Sequence, residues 1–305
     1  MCPLTNPRKK KGKRTRRNNL SNDEDEEPEF DFELDLELSN NTANKKLDRK
    51  IAQKIDHWLQ REKRSEDRSV VDSVLDTRTL AVLEYLLRKG FIDSTIALST
   101  VSTGKEANVY YTLTTRGEEV AVKIYRMVAS DFKRREPYLV GDPRFRTIRK
   151  TTHALVYTWA QKEFKNLQRA FAVGIRVPKP EIVRKNVLVV EFIGKDRVPA
   201  RLMRDVKLKN PSKTFKCILE HVRTLYEKAN LVHADLSEYN VLMWEGEPVL
   251  IDFAQAVLIA HPMSSMFLRR DLENISKYFS RLGVSITAAE VLLTELLENK
   301  DNIRL

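Results

Sequence analysis

Residues Leu231 to Asp252, LVHADLSEYNVLMWEGEPVLID, carry the most specific motif of this chain. Asp235 is followed five residues later by Asn240, and Asp252 comes twelve residues further on, directly after an apolar run. Residues 241–251 consist of two apolar segments around a Glu-Gly turn, which predicts a β-hairpin. Because the two strands of a hairpin run antiparallel, we expect Asn240 and Asp252 to meet beside Asp235.

These oxygen-bearing side chains suit phosphoryl transfer. Carboxylate and amide oxygens are hard ligands for Mg²⁺, which takes its other ligands mostly from substrate phosphates. We expect Asn240 and Asp252 to hold the metal and Asp235 to orient or deprotonate the acceptor. A single Asp or Asn near a strand end is as readily a turn former. The complete H-x-D-x(4)-N spacing, with a hydrophobic-Asp strand after it, favours the catalytic interpretation.

The same residues resemble the catalytic and metal-binding loops of the RIO family of atypical serine/threonine protein kinases, type-one branch. Ser237 stands where ordinary protein kinases usually have a Lys, and Asp252-Phe253-Ala254 stands where they have D-F-G. Residues 102–110, STGKEANVY, are similar to the type-one signature, and residues 74–92 resemble the segment before it. The resemblance covers about residues 70–295.

A phosphate-binding loop is expected at Ser99–Tyr111, which occupies the position of a kinase glycine-rich loop but contains one glycine, Gly104. We expect the hydroxyl of Ser102, the backbone amides around Gly104 and the charge of Lys105 to hold phosphate. By the same resemblance, Val109 belongs to the nucleotide site.

A lysine on the third predicted strand is expected to face the nucleotide. Residues 120–123 match the V-A-I-K pattern of kinases, and a Lys buried at a strand centre is costly without a partner. We therefore expect Lys123 to contact the α- and β-phosphates. Its expected partner is Glu163, on a helix predicted over residues 156–170; without that strand, Glu163 would be read as an ordinary surface residue.

The hinge between two lobes is expected at the end of the strand predicted over residues 187–192. The backbone groups of Glu191 and Ile193 would bind the adenine edge there. Proteins of this family usually have a small residue where Glu191 stands, but a backbone contact tolerates the change.

The predicted fold is α+β: a minimal two-lobed protein-kinase-like fold of RIO type. The N-lobe would have five strands and one helix, and the C-lobe would be mainly helical, because only 53 residues follow Asp252. A core stripe of Met266, Leu268, Leu272, Ile275 and Phe279 is expected there. The expected boundaries are a disordered basic then acidic tail at 1–43, a helical extension at 44–98, the N-lobe at 99–193 and the C-lobe at 194–305.

Composition excludes several classes of protein. With 305 residues, of which 42% are hydrophobic, the chain can bury a core in one or two domains. Cys2 and Cys217 are far apart, so neither a disulfide framework nor a zinc site is indicated. No apolar stretch approaches the roughly 18 residues of a membrane span. The basic N-terminus lacks the apolar segment of a secretory signal, so we expect a soluble intracellular protein.

The net charge of +11 is unevenly distributed. Residues 1–40 hold 8 basic and 10 acidic side chains, and residues 41–305 hold 46 and 33. A body this basic attracts phosphate-rich partners, although much of the charge is equally well explained as solvated surface.

Three charged segments have open interpretations. Arg8–Arg17 is a nuclear-import signal, an RNA-contacting arm or a solubilising tail. Asp23–Glu37 is either a strand with one apolar face or a disordered acidic segment that folds onto a partner or onto the basic body of the protein itself. Residues 130–152 form either a basic lid over rRNA or nucleotide, or a solvated loop. The basic residues of this insertion are Lys133, Arg134, Arg135, Arg144, Arg146, Arg149 and Lys150.

The family resemblance implies an ATP-dependent serine/threonine-kinase-like phosphotransferase or ATPase that uses Mg²⁺ or Mn²⁺. It implies a role in maturation of the small ribosomal subunit, with Asp252 also accepting the γ-phosphate as an aspartyl-phosphate intermediate. The implied partners are pre-small-subunit particles, their rRNA and ribosome assembly factors. We expect a cytoplasmic monomer without membrane contact, and nuclear shuttling through the basic N-terminal run.

Two other functions fit the motifs. A small-molecule phosphotransferase of the aminoglycoside or choline type shares the short C-lobe and the H-x-D-x(4)-N spacing, but should have an acidic pocket for its acceptor. A non-catalytic RNA scaffold would use ATP only as a conformational ligand. The presence of Lys123, Asp235, Asn240 and Asp252 together argues against an inactive protein.

Overall fold

The computed structural model of the chain describes residues 76–93, 95, 98–127, 136–145 and 151–303, with the side chains of 136 and 299–303 left out. The tail predicted at 1–43 and residues 44–75 of the predicted extension lie outside this range. Among the helices of the described part, none is long and apolar enough to cross a membrane.

The first lobe is built on a five-stranded antiparallel sheet in the order β1-β2-β3-β5-β4. Gly117, with φ of 81°, and Lys185, with φ of 51°, form the tight turns between β2 and β3 and between β4 and β5. The strands are β1 Ser99–Thr103, β2 Ala107–Leu113, β3 Glu119–Tyr125, β4 Pro180–Arg184 and β5 Val187–Glu191.

Helix α1, Thr77–Arg88, covers one face of this sheet. Asp76 caps it by accepting a 2.8 Å hydrogen bond from the amide of Thr79, and the helix ends before Gly90, whose φ is +77°. The helix and the sheet share one apolar cluster, to which Val82, Leu83, Leu86, Val122 and Val189 belong.

Helix α3, Thr152–Ala172, packs against β4 and β5, and its N-terminus is capped by the hydroxyl of Thr151. Its buried side chains include Val156, Trp159 and Glu163. The described part of the connection from β3 to α3 contains helix α2, Glu136–Leu139, and a 3₁₀ turn, Pro143–Phe145.

The second lobe contains the predicted hairpin, whose strands are β10, Val241–Trp244, and β11, Glu247–Leu250. Glu245 and Gly246 join them with positive φ values of 53° and 86°, as a two-residue hairpin turn requires. Its helices are α4 Pro211–Glu227, α5 Ser264–Arg281 and α6 Thr287–Ile303. Its short strands are β6 Gly194–Lys195, β7 Val198–Pro199, β8 Arg201–Leu202, β9 Leu231–Val232 and β12 Val257–Leu258.

Helix α5 corrects one predicted core position. Leu268, Leu272 and Phe279 are buried as predicted, but Met266 is 51% exposed. Two residues along a helix turn the side chain by about 200°, so Met266 faces away from Leu268. Phe267, which is 2% exposed, takes the place expected for Met266 in the core.

This pair of neighbours gives a stability test. We expect Leu268→Ala to lower the free energy of unfolding by about 2–5 kcal/mol, because it leaves a cavity in the core. Met266→Ala, on the exposed side of the same helix, should change it by less than about 0.5 kcal/mol. Urea denaturation of both variants measures the difference, and equal losses would contradict the assigned orientation of α5.

Candidate active site

A cleft of about 850 Å³ lies between the two lobes, and both contribute to its wall. Asp235 lies beside it, bonded to the lining residue Asn240. The roles assigned to these side chains remain predictions, but the fold brings the side chains together. The lining includes every other residue predicted for the site: Ser102, Gly104, Lys105, Val109, Lys123, Glu163, Glu191, Ile193, Asn240 and Asp252.

Lys123 joins three elements of the fold at this cleft. Its Nζ lies 2.8 Å from both carboxylate oxygens of Glu163 on α3 and 3.1 Å from Oδ1 of Asp252, which follows β11. Burial alone would lower the pKa of Lys123, but the charges of Asp252 and Glu163 outweigh it and raise the pKa. The lysine is therefore a fixed positive charge in the cleft.

The catalytic loop places Asp235 against Asn240. The Nδ2 of Asn240 donates to the backbone oxygen of Asp235 at 2.8 Å and to its Oδ2 at 3.1 Å, and the Nε2 of Gln255 donates to the same Oδ2 at 3.2 Å. The hairpin closes as predicted, because the amide of Ile251 donates to the carbonyl of Asn240 at 3.0 Å. Burial and the charge of Asp252 raise the pKa of Asp235 to about 6.

The oxygen atoms here fit a magnesium ion that is held mainly by nucleotide. Because Nδ2 of Asn240 is engaged by Asp235, its Oδ1 is the atom able to bind a cation, together with the carboxylate of Asp252. In the part of the chain that the structure describes, no group of three or more His, Cys, Asp or Glu side chains could hold a metal. Mg²⁺ bound by one or two protein ligands plus phosphates and water needs no such group.

His233 has a structural role next to the catalytic residues. Its Nε2 lies 3.0 Å from the carbonyl oxygen of Ile251, and its ring packs on Phe253 with centroids 4.6 Å apart. Burial lowers the pKa of His233 to about 4. The imidazole is therefore neutral near pH 7 and fixes the strand end that leads to Asp252.

The catalytic loop contains a strained residue that helix α5 holds in place. Ala234 has a φ of 64°, and such a conformation costs a non-glycine residue about 1–3 kcal/mol. Asp271 accepts hydrogen bonds from the amides of Ala234 at 2.7 Å and Leu236 at 2.9 Å, and Arg270 donates to the carbonyl of Ala234. The sequence interpretation missed Asp271, although a carboxylate within the buried stripe of α5 was a usable signal.

The phosphate loop contains a tight turn at Gly104. The amide of Gly104 donates to the carbonyl of Ala107 at 3.0 Å, so the predicted phosphate contact falls to the amides around Gly104. A Cβ at Gly104 would lie 2.9 Å from that same oxygen, which is too close. The turn is therefore too tight for a residue with a side chain. Ser102 and Lys105 are exposed at the cleft and keep their predicted positions.

The hinge residues keep backbone groups for an adenine ring. The amide of Glu191 donates to the carbonyl of Lys179 at 2.8 Å, and the carbonyl of Ile193 accepts from the amide of Ala200 at 2.9 Å. The predicted adenine contacts therefore fall to the carbonyl of Glu191 and the amide of Ile193. The Glu191 carboxylate forms two 3.0 Å bonds with Arg176, which accounts for a large residue at this position.

The insertion between β3 and α3 also differs from the prediction. Arg144, expected in a basic lid or solvated loop, has a side chain only 8% exposed. It donates to Asp142 through Nε at 3.0 Å and Nη2 at 2.7 Å, and to Oδ1 of Asn166 through Nη1 at 2.9 Å. The prediction is wrong for Arg144, because its guanidinium is bonded to buried acceptors and does not face solvent or a ligand. The other basic residues of the insertion lie outside the described residues.

Comparisons with known proteins agree with this geometry. The family model of the RIO domain matches residues 108–292. The chain is 46% identical over 211 residues to the RIO-type serine/threonine-protein kinase Rio1 of Haloferax volcanii, covering 69% of this chain and 72% of that protein. It is 40% identical over 226 residues to the serine/threonine-protein kinase RIO1 of Homo sapiens, covering 73% and 39%.

A solved structure shows the same fold. The crystal structure of the Rio2 kinase-ADP/Mg²⁺-phosphoaspartate complex from Chaetomium thermophilum aligns with a TM-score of 0.51 at 22% identity, covering 72% of this chain and 70% of that chain. The predicted α+β, two-lobed kinase-like fold is confirmed by this alignment.

A five-stranded lobe, a hinge and a short helical lobe around a Lys–Glu–Asp cleft define an atypical protein kinase. The family model covers more than half of the chain, so the chain belongs to the RIO family. Its relatives make it an atypical serine/threonine protein kinase of the Rio1 type. The chain spans 72% of the two archaeal relatives but only 39% of the human one.

The support of the catalytic loop can be tested at Asp271. In Asp271→Asn, one amide hydrogen bond is replaced by a contact between two donors, and hydrogen bonds to a charged group are worth about 1.5–3 kcal/mol. We expect ATP turnover to fall by about 10–100-fold while the Kd for ATP changes less than about threefold. Glu273→Gln, an exposed change on the same helix, is the control. Undiminished turnover would contradict the role of Asp271.

Proposed function

We propose that the chain binds ATP with Mg²⁺ in the interlobe cleft and transfers the γ-phosphoryl group. The observation that carries this proposal is the simultaneous contact of Lys123 with Glu163 and Asp252, beside the Asp235–Asn240 pair. The Rio2 kinase structure that shares this fold is named as a complex with ADP/Mg²⁺, which supports the same ligands here.

Each side chain has a defined task in this mechanism. Lys123 would hold the α- and β-phosphates, while Asn240 and Asp252 would hold Mg²⁺, which when bound neutralises charge on the phosphates. Asp235 would accept the proton of the phosphoacceptor. The raised pKa of Asp235, about 6, leaves it ionised near pH 7 and makes it a stronger base than a free Asp.

Asp252 is also proposed as a phosphoacceptor. A carboxylate oxygen of Asp252 would attack the γ-phosphorus, forming a new P–O bond as the bond to the ADP oxygen breaks, and water would later release phosphate. The side chain of Asp252 is 39% exposed at the cleft. The Rio2 structure is named as a phosphoaspartate complex, which supports this route.

The destination of the phosphoryl group tests the whole proposal. The protein is incubated with γ-labelled ATP and Mg²⁺, with Mn²⁺ in a parallel reaction. Label on Asp252, on free phosphate or on a protein serine is expected. Label on an added aminoglycoside or choline, with none at these positions, would overturn the assignment.

The role of Asp235 gives a sharper prediction. Asp235→Asn keeps the shape of the side chain and an acceptor for Asn240 but removes the base, so we expect turnover to fall by about 10²–10⁴-fold. The Kd for Mg²⁺·ATP should stay within about threefold. Glu245→Gln, at the exposed hairpin turn, is the control. Undiminished turnover in Asp235→Asn would refute its role.

We further propose that the protein acts in the cytoplasm, in maturation of the small ribosomal subunit, through pre-small-subunit particles, their rRNA and assembly factors. The family resemblance suggests this role, and the excess of basic residues in 41–305 supports binding to RNA.

The charge argument predicts how such binding responds to salt. Contacts between basic side chains and phosphates release counterions, so association with purified pre-small-subunit particles should fall at least about tenfold between about 50 and 200 mM salt. Co-sedimentation measures this, with mature large subunits as the control. Absent or salt-insensitive binding would count against RNA docking.

A further inference from the structure

Helix α3 carries two fully buried polar side chains besides Glu163. Lys162 and Asn166 are both 0% exposed. The Nζ of Lys162 donates to the carbonyl oxygens of Ala254, at 3.0 Å, and Ala256. The Nδ2 of Asn166 donates to the carbonyls of Phe253, at 2.8 Å, and Ala256, at 2.9 Å. All three carbonyls belong to the four residues that follow Asp252.

Burying a lysine in this place costs free energy. Its acceptors are neutral carbonyls rather than carboxylates, and its ammonium lies 5.5 Å from the ring centroid of Trp159. Burial lowers the pKa of Lys162 to about 7, and the charge of Asp142 offsets only part of this effect. An apolar side chain would fill the same space without that cost. The hydrogen bonds that Lys162 donates must therefore have a role besides filling space in the core.

The carbonyls are bonded at the point where the backbone is strained. Asp252 has a φ of 63°, in the left-handed region, and its carboxylate lies 3.1 Å from Nζ of Lys123. Strand β11 has ended at Leu250, so the sheet no longer directs the chain. Fixing the three carbonyls fixes the turn, and the turn sets the direction of the Asp252 side chain.

The orientation of the Asn166 amide is itself determined. Arg144 donates to Oδ1 of Asn166 at 2.9 Å, so Nδ2 must face the carbonyls, and Asp142 holds Arg144 through two side-chain hydrogen bonds. Helix α3 thus contacts the site twice. Glu163 holds Lys123, and the adjacent Lys162, with Asn166 one turn further on, holds the turn after Asp252.

We propose that Lys162 and Asn166 are positioning residues for Asp252, which hold its backbone so that its carboxylate is preorganised for the metal–nucleotide complex. This inference rests on the proposed function of the cleft. A purely structural role would link the two lobes and stabilise the fold, but would leave the contribution of Mg²⁺ to nucleotide binding unchanged.

The experiment measures the coupling between metal and nucleotide. The Kd for ATP is measured with and without Mg²⁺ in the full chain. The Kd without Mg²⁺ divided by the Kd with Mg²⁺ is the ratio that is compared between variants. Lys162→Met removes the ammonium but keeps the length of the side chain. Asn166→Asp keeps the acceptor for Arg144 but replaces the donor with a carboxylate oxygen, which repels the carbonyls of Phe253 and Ala256. Asp252→Asn defines the ratio when the negative charge of the metal ligand is removed.

Two further variants serve as controls. Leu86→Ala creates a cavity under the sheet, away from the turn, and should lower the unfolding midpoint without changing the ratio. Lys162→Arg keeps donors for the carbonyls. Its ratio should therefore stay closer to that of the unsubstituted protein than the ratio of Lys162→Met does.

We expect Lys162→Met and Asn166→Asp each to reduce the ratio at least fivefold, towards the value of Asp252→Asn, with metal-free ATP binding within twofold of the unsubstituted protein. A smaller reduction in either folded variant overturns the inference. Should neither fold, Arg144→Gln, which releases the Asn166 amide, is judged by the same criterion. If Mg²⁺ does not tighten ATP binding by the unsubstituted protein, the proposed function fails instead, so the two failures are distinguishable.

Discussion

The site depends on one partly buried cation, Lys123, that contacts two carboxylates from different parts of the chain. Lys123 lies on β3, Glu163 on α3 and Asp252 after β11, so their contacts fix the sheet, the helix and the second lobe together. Desolvating a lysine is costly, and the two negative charges compensate for it. The two carboxylates also raise the pKa of Lys123, so its ammonium stays protonated at the cleft where nucleotide phosphates would lie.

Two left-handed residues, Ala234 and Asp252, shape the loops on either side of the predicted acceptor site. Neither conformation is favourable for a residue with a side chain, and each is held by buried polar groups on a single helix. Asp271 on α5 serves the first, while Lys162 and Asn166 on α3 serve the second. Both loops are thus fixed from behind by groups that need not touch the substrate.

The described part of the insertion after β3 belongs to this supporting structure. Tyr138 stacks on Phe267 with centroids 5.0 Å apart and accepts a hydrogen bond from Arg270, which also holds the catalytic loop. Arg144 orients Asn166 behind the turn that follows Asp252. The described residues of this insertion therefore support the helices that hold the catalytic loop and the turn after Asp252.

Features that depend on neighbours along the chain could be predicted from the residues alone: the hairpin turn and the spacing that brings Asn240 back to Asp252. Which distant groups meet depends on how the elements pack in three dimensions. The carbonyls bonded by Lys162 lie 92 and 94 residues along the chain. The buried position of Arg144 could not be predicted from the sequence either. Periodicity and motif spacing report local geometry, whereas burial and hydrogen-bond partners follow from how the elements pack.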